Sequence, residues 1–139
     1  MIQKHDILAF LRKHSLAVLA TADVKGRPQA AVVEFAELDD LTIIIDTFNY
    51  SRKYKNLQQN DQVAIVIGWD NNVTLQIDAT AHELNGEDLA RAKDIYFAKN
   101  ERAKKWGDKP EIAYFAFRPI WMRYSDVGKT PWLIEEVRL

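Results

Sequence analysis

Leu41-Thr42-Ile43-Ile44-Ile45-Asp46-Thr47-Phe48-Asn49-Tyr50-Ser51-Arg52-Lys53 runs from a dense apolar stretch straight into a pair of cations. The branched residues at 41–47 read as a buried strand, because β-branched side chains pack well on a pleated surface. A short helix follows over 52–59. Ser51 is its N-cap, with a hydroxyl able to accept a bond from a first-turn N–H. Arg52 and Lys53 then occupy the helix end that already carries partial positive charge from the macrodipole. Two cations beside free amides cost stability until an anion joins them. A strand leading into a hydroxyl cap, free amides and two cations therefore describes a phosphate site. Phe48, Tyr50 and Tyr54 bracket the motif, and Trp69 ends the next strand. Singly, Tyr54 and Trp69 read as packing residues; beside a phosphate site the group offers a flat apolar surface for a phosphorylated aromatic ligand.

Working outward, residues 2–13 place Ile7, Leu8, Phe10 and Leu11 at helical spacing, with Lys4, Arg12 and Lys13 opposite. Residues 15–22 and 29–38 read as two strands joined by the turn Asp23-Val24-Lys25-Gly26-Arg27-Pro28. Asp39-Asp40 turns the chain into the strand at 41–47. Residues 62–69 and 73–84 are the fourth and fifth strands. A longer helix starts at Asn85-Gly86-Glu87-Asp88 and ends near Trp106-Gly107, with Leu89, Ala92, Ile95, Tyr96 and Ala103 as its buried stripe. Residues 112–117 form a sixth strand, continued over 119–125 past a kink or bulge at Pro119. Residues 131–139 read as a short tail. Six strands joined mostly by hairpins predict an antiparallel sheet, and closure into a barrel removes its exposed edges. The expected fold is mainly β: a six-stranded antiparallel barrel with peripheral helices, in one domain spanning 1–139.

Composition narrows the functional classes. Of 139 residues, 47% are hydrophobic and 28% charged, as in an ordinary globular protein, and the net charge of −1 offers no global field for nucleic acid or acidic membranes. There is no cysteine, so thiolate catalysis, disulfides and Cys-based metal sites are excluded. His5, His14 and His82 lack metal-ligand spacing, and G-x-S-x-G, Walker and G-x-G-x-x-G motifs are absent. Asp39-Asp40 reads as turn chemistry and Glu87-Asp88 as first-turn charges matched to the helix dipole. With no secretory signal and no apolar run long enough to span a bilayer, a cytoplasmic protein is expected.

The run 43–53, then Asn56-Leu57, Asn60 and 63–69, resembles the pyridoxamine 5′-phosphate oxidase-like family of FMN-binding split barrels. Leu19-Ala20-Thr21, Gly26-Arg27-Pro28-Gln29, the strand 74–81 and Phe117-Arg118-Pro119-Ile120-Trp121-Met122-Arg123-Tyr124 resemble its other strands in the right order. The resemblance implies a split barrel and a homodimer with FMN at the subunit interface. It places the phosphate with Arg52 and Lys53, near Ser51, Thr47 and Asp46. It lays Gln29, Ala30, Ala31, Val32 and Val33 along the flavin ring, and brings Trp69 and, from the other subunit, Gln76 to the cofactor. The chemistry would be flavin-dependent oxidoreduction of a small molecule or nicotinamide nucleotide. Alternatives are flavin sequestration without turnover, or the same barrel holding the deazaflavin F420 or heme. Two departures stand out. Glu34 occupies the end of the second strand, where longer members carry a basic residue. Residues 131–139 do not resemble the segment that completes the substrate site of the true oxidases, so vitamin B6 oxidation is not expected. The chain looks more like the short, general-stress-protein-like members.

Overall fold

The computed structural model describes the whole chain, Met1–Leu139. Its strands are β1 (Leu16–Ala22), β2 (Pro28–Glu34), β3 (Ala36–Glu37), β4 (Ile43–Phe48), β5 (Gln62–Ile67), β6 (Val73–Glu83), β7 (Ile112–Asp126) and β8 (Leu133–Glu136). The helices are α1 (Lys4–Arg12), α2 (Arg52–Gln59) and α3 (Gly86–Lys99), the last followed by a 3-10 helix, Glu101–Trp106. All strands join one antiparallel sheet in the order β2-β1-β5-β6-β7-β4-β3, with β8 added on β7.

The sheet has eight strands, not six, for two local reasons. The expected second strand, 29–38, divides at the fully buried Phe35: β2 pairs with β1, and β3 pairs with β4. The expected tail, 131–139, contains β8, which pairs Leu133–Glu136 with the end of β7. Its alternation of half-buried and exposed residues is that of a strand covering an edge.

The division at Phe35 makes the barrel. The terminal strands of the sheet, β2 and β3, are consecutive in the chain, so the sheet closes on itself at that corner. Its interior holds one 22-residue apolar cluster that includes Ile7, Leu11, Leu19, Phe35, Ile43, Ile45, Ile65, Ile77, Phe115 and Phe117. Ile44 faces the other way, into a second cluster with Ala92, Tyr96, Tyr114 and Ala116 under α3. The unbroken Ile43-Ile44-Ile45 run is explained by this: β4 is covered on both faces. Ile95 is 41% exposed and leaves the stripe on which it was expected; α3 contributes only Ala92 and Tyr96 as buried residues, and Ala103 is buried from the 3-10 helix.

The irregularity expected at Pro119 is present as a bulge. Asp78 pairs with Trp121 and Ala79 with Pro119, leaving Ile120 as the extra residue on β7, pushed outward and 66% exposed. One turn also has a steric reason. Gly68 has φ of +77°, and a Cβ there would stand 2.5 Å from Phe10 Cζ and 3.1 Å from the Val73 carbonyl oxygen. Gly68→Ala is expected to cost about 1–2 kcal/mol from the left-handed backbone alone, read as a lower denaturation midpoint. No helix is long and apolar enough to cross a membrane.

Candidate functional site

The start of α2 has the expected cap. Ser51 Oγ accepts a bond from the Tyr54 amide at 3.1 Å and lies 2.8 Å from Thr47 Oγ1, so the cap is tied to the end of β4. The first turn contains no acid. Arg52 is exposed and Lys53 half-buried, and neither makes an ion pair. The two cations, free first-turn amides and hydroxyl cap thus stand together without a counter-charge.

What lies in front of them was not legible in the motif. Asn56, one turn into α2 and buried, donates through Nδ2 to Thr21 Oγ1 and to Gln29 Oε1, both at 2.9 Å. This clamp fixes α2 against β1 and β2. The result is a cavity of about 150 Å³ between Thr21, Gln29, Ala30, Ala31, Arg52 and Lys53. A second cavity, about 280 Å³, continues along Val32, Val33 and Glu34 to Asp46, Thr47, Phe48, Ser51, Trp106 and Ile112. Lys53 lines both. β2 has a ladder partner only in β1. Half of its backbone donors and acceptors are therefore free along the opening between β2 and β4. From Gln29 to Glu34 this edge is about 16 Å long at ~3.3 Å per residue.

Ten of the twelve candidate residues meet here: Gln29, Ala30, Ala31, Val32, Val33, Asp46, Thr47, Ser51, Arg52 and Lys53. Trp69 and Gln76 do not. Trp69 sits in a separate hollow with Lys13, His14, Ser15, Leu16, Gly68 and Asp70. Gln76 is exposed in the middle of β6, between Val66 and Arg123. Asp46 lines the cavity, yet its carboxylate is already engaged: it accepts from the Tyr96 hydroxyl at 2.9 Å and from Trp106 Nε1 at 3.3 Å. It thereby anchors α3 and the 3-10 helix to β4. Burial, reinforced by the Asp46 charge, pushes the Tyr96 hydroxyl well above its ordinary range, and the Glu34 charge adds to this. Burial followed by Asp46 pushes Tyr114 up to about 12. Both phenols stay protonated at neutral pH: Tyr96 donates to Asp46, and Tyr114 packs in the cluster under α3.

Sequence reasoning did not assign Thr21, Trp106 or Ile112 to the site. They come from β1, the 3-10 helix and β7, far from the motif in sequence. Trp106 carried the one readable signal, an aromatic closing a helix. Tyr96→Phe is expected to cost about 1–2 kcal/mol, because the Asp46 carboxylate loses a partner in a half-buried setting; chemical denaturation reads it directly.

Against known proteins, the profile of the pyridoxamine 5′-phosphate oxidase family matches residues 3–129. The chain belongs to that family. Among similar proteins, general stress protein 26 of Bacillus subtilis (strain 168) is 29% identical over 138 residues, covering 95% of each chain. The pyridoxine/pyridoxamine 5′-phosphate oxidase of Paraburkholderia phymatum is 30% identical over 105 residues, 75% of this chain and 48% of the oxidase. The chain therefore spans about half the length of that named oxidase. The structure of a heme binding protein from Mycobacterium smegmatis superposes with a TM-score of 0.83 at 17% identity, over 98% of this chain and 58% of the other. That last likeness is one of fold. The pyridoxamine 5′-phosphate oxidase family thus supplies the architecture expected from the motif, a split barrel with helices around it.

Proposed function

We propose that this protein binds FMN and works as a flavin-dependent oxidoreductase on a small molecule, in a homodimer whose second copy completes the cofactor site. One observation carries the reading: the uncompensated cationic start of α2 opens directly onto the free edge of β2, through two cavities that share Lys53. The phosphate would sit at Arg52, Lys53 and the first-turn amides, with Ser51 and Thr47 shaping the cap. The ring would lie along Gln29, Ala30, Ala31, Val32 and Val33, meeting free backbone donors and acceptors. An edge about 16 Å long suits a phosphate and a tricyclic ring joined by a short chain. Bound FMN supplies hydride or electron transfer, and the chain's residues hold and orient it.

Heme is the competing ligand, since a structural neighbour is named for it. The cavities argue for flavin. None of the residues lining the protomer's own two cavities is a histidine, cysteine or methionine. The absorbance of the purified protein separates the readings: a two-band flavin spectrum, the single band of F420, or a Soret band. A colourless protein that ignores added FMN in a titration rejects the cofactor. Turnover of nicotinamide nucleotide, followed at the flavin band without oxygen, separates an oxidoreductase from a flavin store.

The dimer rests on the outer face of the sheet. Ile120, 66% exposed, joins Ala20, Ala22, Pro28 and Ala64 with the polar Gln62 and Asp78 around a broad, shallow hollow of about 420 Å³, and Val32 on the same sheet is 61% exposed. Exposed large apolar side chains around a hollow with a polar rim suit an interface. Gln76 and Trp69 lie outside the protomer's own cavities, and a partner's copies are the ones that would reach the ring. Ile120→Asp is expected to weaken the dimer at least tenfold, about 1.4 kcal/mol, and to lower FMN retention with it. Sedimentation velocity checks the first effect; an FMN-loaded monomer of the unaltered protein contradicts the interface site.

A further inference from the structure

Charge changes along the cavity pair: Lys53 lines both parts, Arg52 only the first, and the only carboxylates stand in the second. At the Gln29 end stand Arg52 and Lys53. At the Glu34 end stand the carboxylates of Glu34 and Asp46, with Trp106 and Ile112 as apolar walls. Asp46 has its oxygens engaged by Tyr96 and Trp106. Glu34 has only Arg102, whose Nη2 is 3.5 Å from Oε1 and whose side chain is 83% exposed, against 33% for Glu34. Such a pair is screened by water and holds loosely. The other Glu34 oxygen has no protein partner.

If the phosphate of the ligand takes the end with two cations, the ring extends from there along β2 toward Glu34, and a reactant that approaches the ring from that end meets Glu34. We infer that Glu34 sets the charge preference of this entrance, so that the reactant is a cationic or uncharged molecule and not a phosphate or carboxylate. Arg102 opposes Glu34 and tunes that preference. A carboxylate in a cleft with low-dielectric walls concentrates cations and repels anions beyond what bulk solution would allow. The inference rests on the FMN reading for its chemical meaning, but the charge preference itself belongs to the chain and can be measured without any cofactor.

Trp106 reports it. In the apoprotein, fluorescence quenching by caesium, iodide and uncharged acrylamide is compared at constant low ionic strength, with Trp106→Phe subtracting the other tryptophans. Glu34→Gln is expected to raise iodide quenching of the Trp106 component roughly two- to fivefold and lower caesium quenching, leaving acrylamide unchanged. Arg102→Gln is expected to move both ions the opposite way. Equal changes for all three quenchers, or no change for either variant, overturn the inference, because the effect is then one of opening or of nothing.

With FMN bound and photoreduced without oxygen, an added tertiary amine such as EDTA supplying the two electrons, a second readout follows. Two equivalents of a one-electron oxidant accept the two electrons of each reduced flavin, which releases one proton to water from its anionic form or two from its neutral form. Hexaammineruthenium(III) is the cationic oxidant and ferricyanide the anionic one. Glu34→Gln should lower the ruthenium-to-ferricyanide rate ratio about three- to tenfold, and Arg102→Gln should raise it, with both effects fading in high salt. Failure to bind FMN would reject the proposed cofactor while the quenching result still decides the role of Glu34. FMN binding with an unchanged rate ratio rejects the role of Glu34 and keeps the cofactor.

Discussion

Arg52→Ala combined with Lys53→Ala is expected to abolish useful FMN binding. In the proposed complex each cation would offer the phosphate a charge-assisted contact worth about 1.5–3 kcal/mol. Losing both costs about 3–6 kcal/mol, or two to four orders of magnitude in the dissociation constant. The apoprotein should respond in the opposite sense. Both cations stand at the positive end of α2 with no acid in the first turn and no ion pair. Removing them relieves a repulsion of roughly 0.3–1 kcal/mol each. The double variant is thus expected to be slightly more stable than the parent without FMN and far less stabilised by adding it. Flavin fluorescence titration measures the first effect and denaturation with and without FMN the second. Retained affinity beside increased stability would mean that the cations are ordinary solvated residues and that the anion site lies elsewhere.

Asn56→Ala is expected to destabilise the protein by about 2–3 kcal/mol. The side chain is buried, and both of its donated bonds, to Thr21 Oγ1 and Gln29 Oε1, cross between elements. Truncation leaves Thr21 and Gln29 short of a donor and opens a void. At roughly 4 °C per kcal/mol for a chain of this size, the thermal midpoint should fall about 8–12 °C. Because the same bonds hold α2 against β2, FMN affinity should fall too, by about tenfold, with the phosphate contacts intact but displaced. Asn56→Leu distinguishes the causes. It restores most of the volume without the donors, so a midpoint that stays low assigns the loss to hydrogen bonding. Recovery to the parent value would assign it to packing and remove Asn56 from the account of the site.

These two variants also separate what could be read from the chain and what could not. The start of α2 was legible because a cap, a dipole and two cations act within a few residues. Ser51 capping Tyr54 and the boundary at Arg52 both follow from local chemistry. The clamp by Asn56 was not legible as a clamp. A polar residue on a short helix reads as solvent-facing until the strands that bury it are placed. Asp46 shows the reverse. Its place beside the motif made it a candidate ligand, whereas Tyr96 and Trp106, 50 and 60 residues away, occupy its oxygens.

The strand count failed for a related reason. Residues 29–38 carry strand character throughout, and no local signal marks Phe35 as the point where the chain leaves one ladder for another. Pairing is decided by distant partners. The segment 133–136 is too short to hold as a strand by itself and exists as β8 because β7 offers an edge.

The sequence by itself determined that this is a mainly β protein with an anion-ready helix start after its third apolar strand, because helix capping, side-chain periodicity and the macrodipole are short-range effects. Tertiary structure alone decided that this helix faces the free edge of β2, that Glu34 and Trp106 stand at the far end of the same opening, and that Trp69 and Gln76 do not. Those facts depend on which strands pair and where the barrel closes, and the free energy that settles them comes from burying residues far apart in the chain.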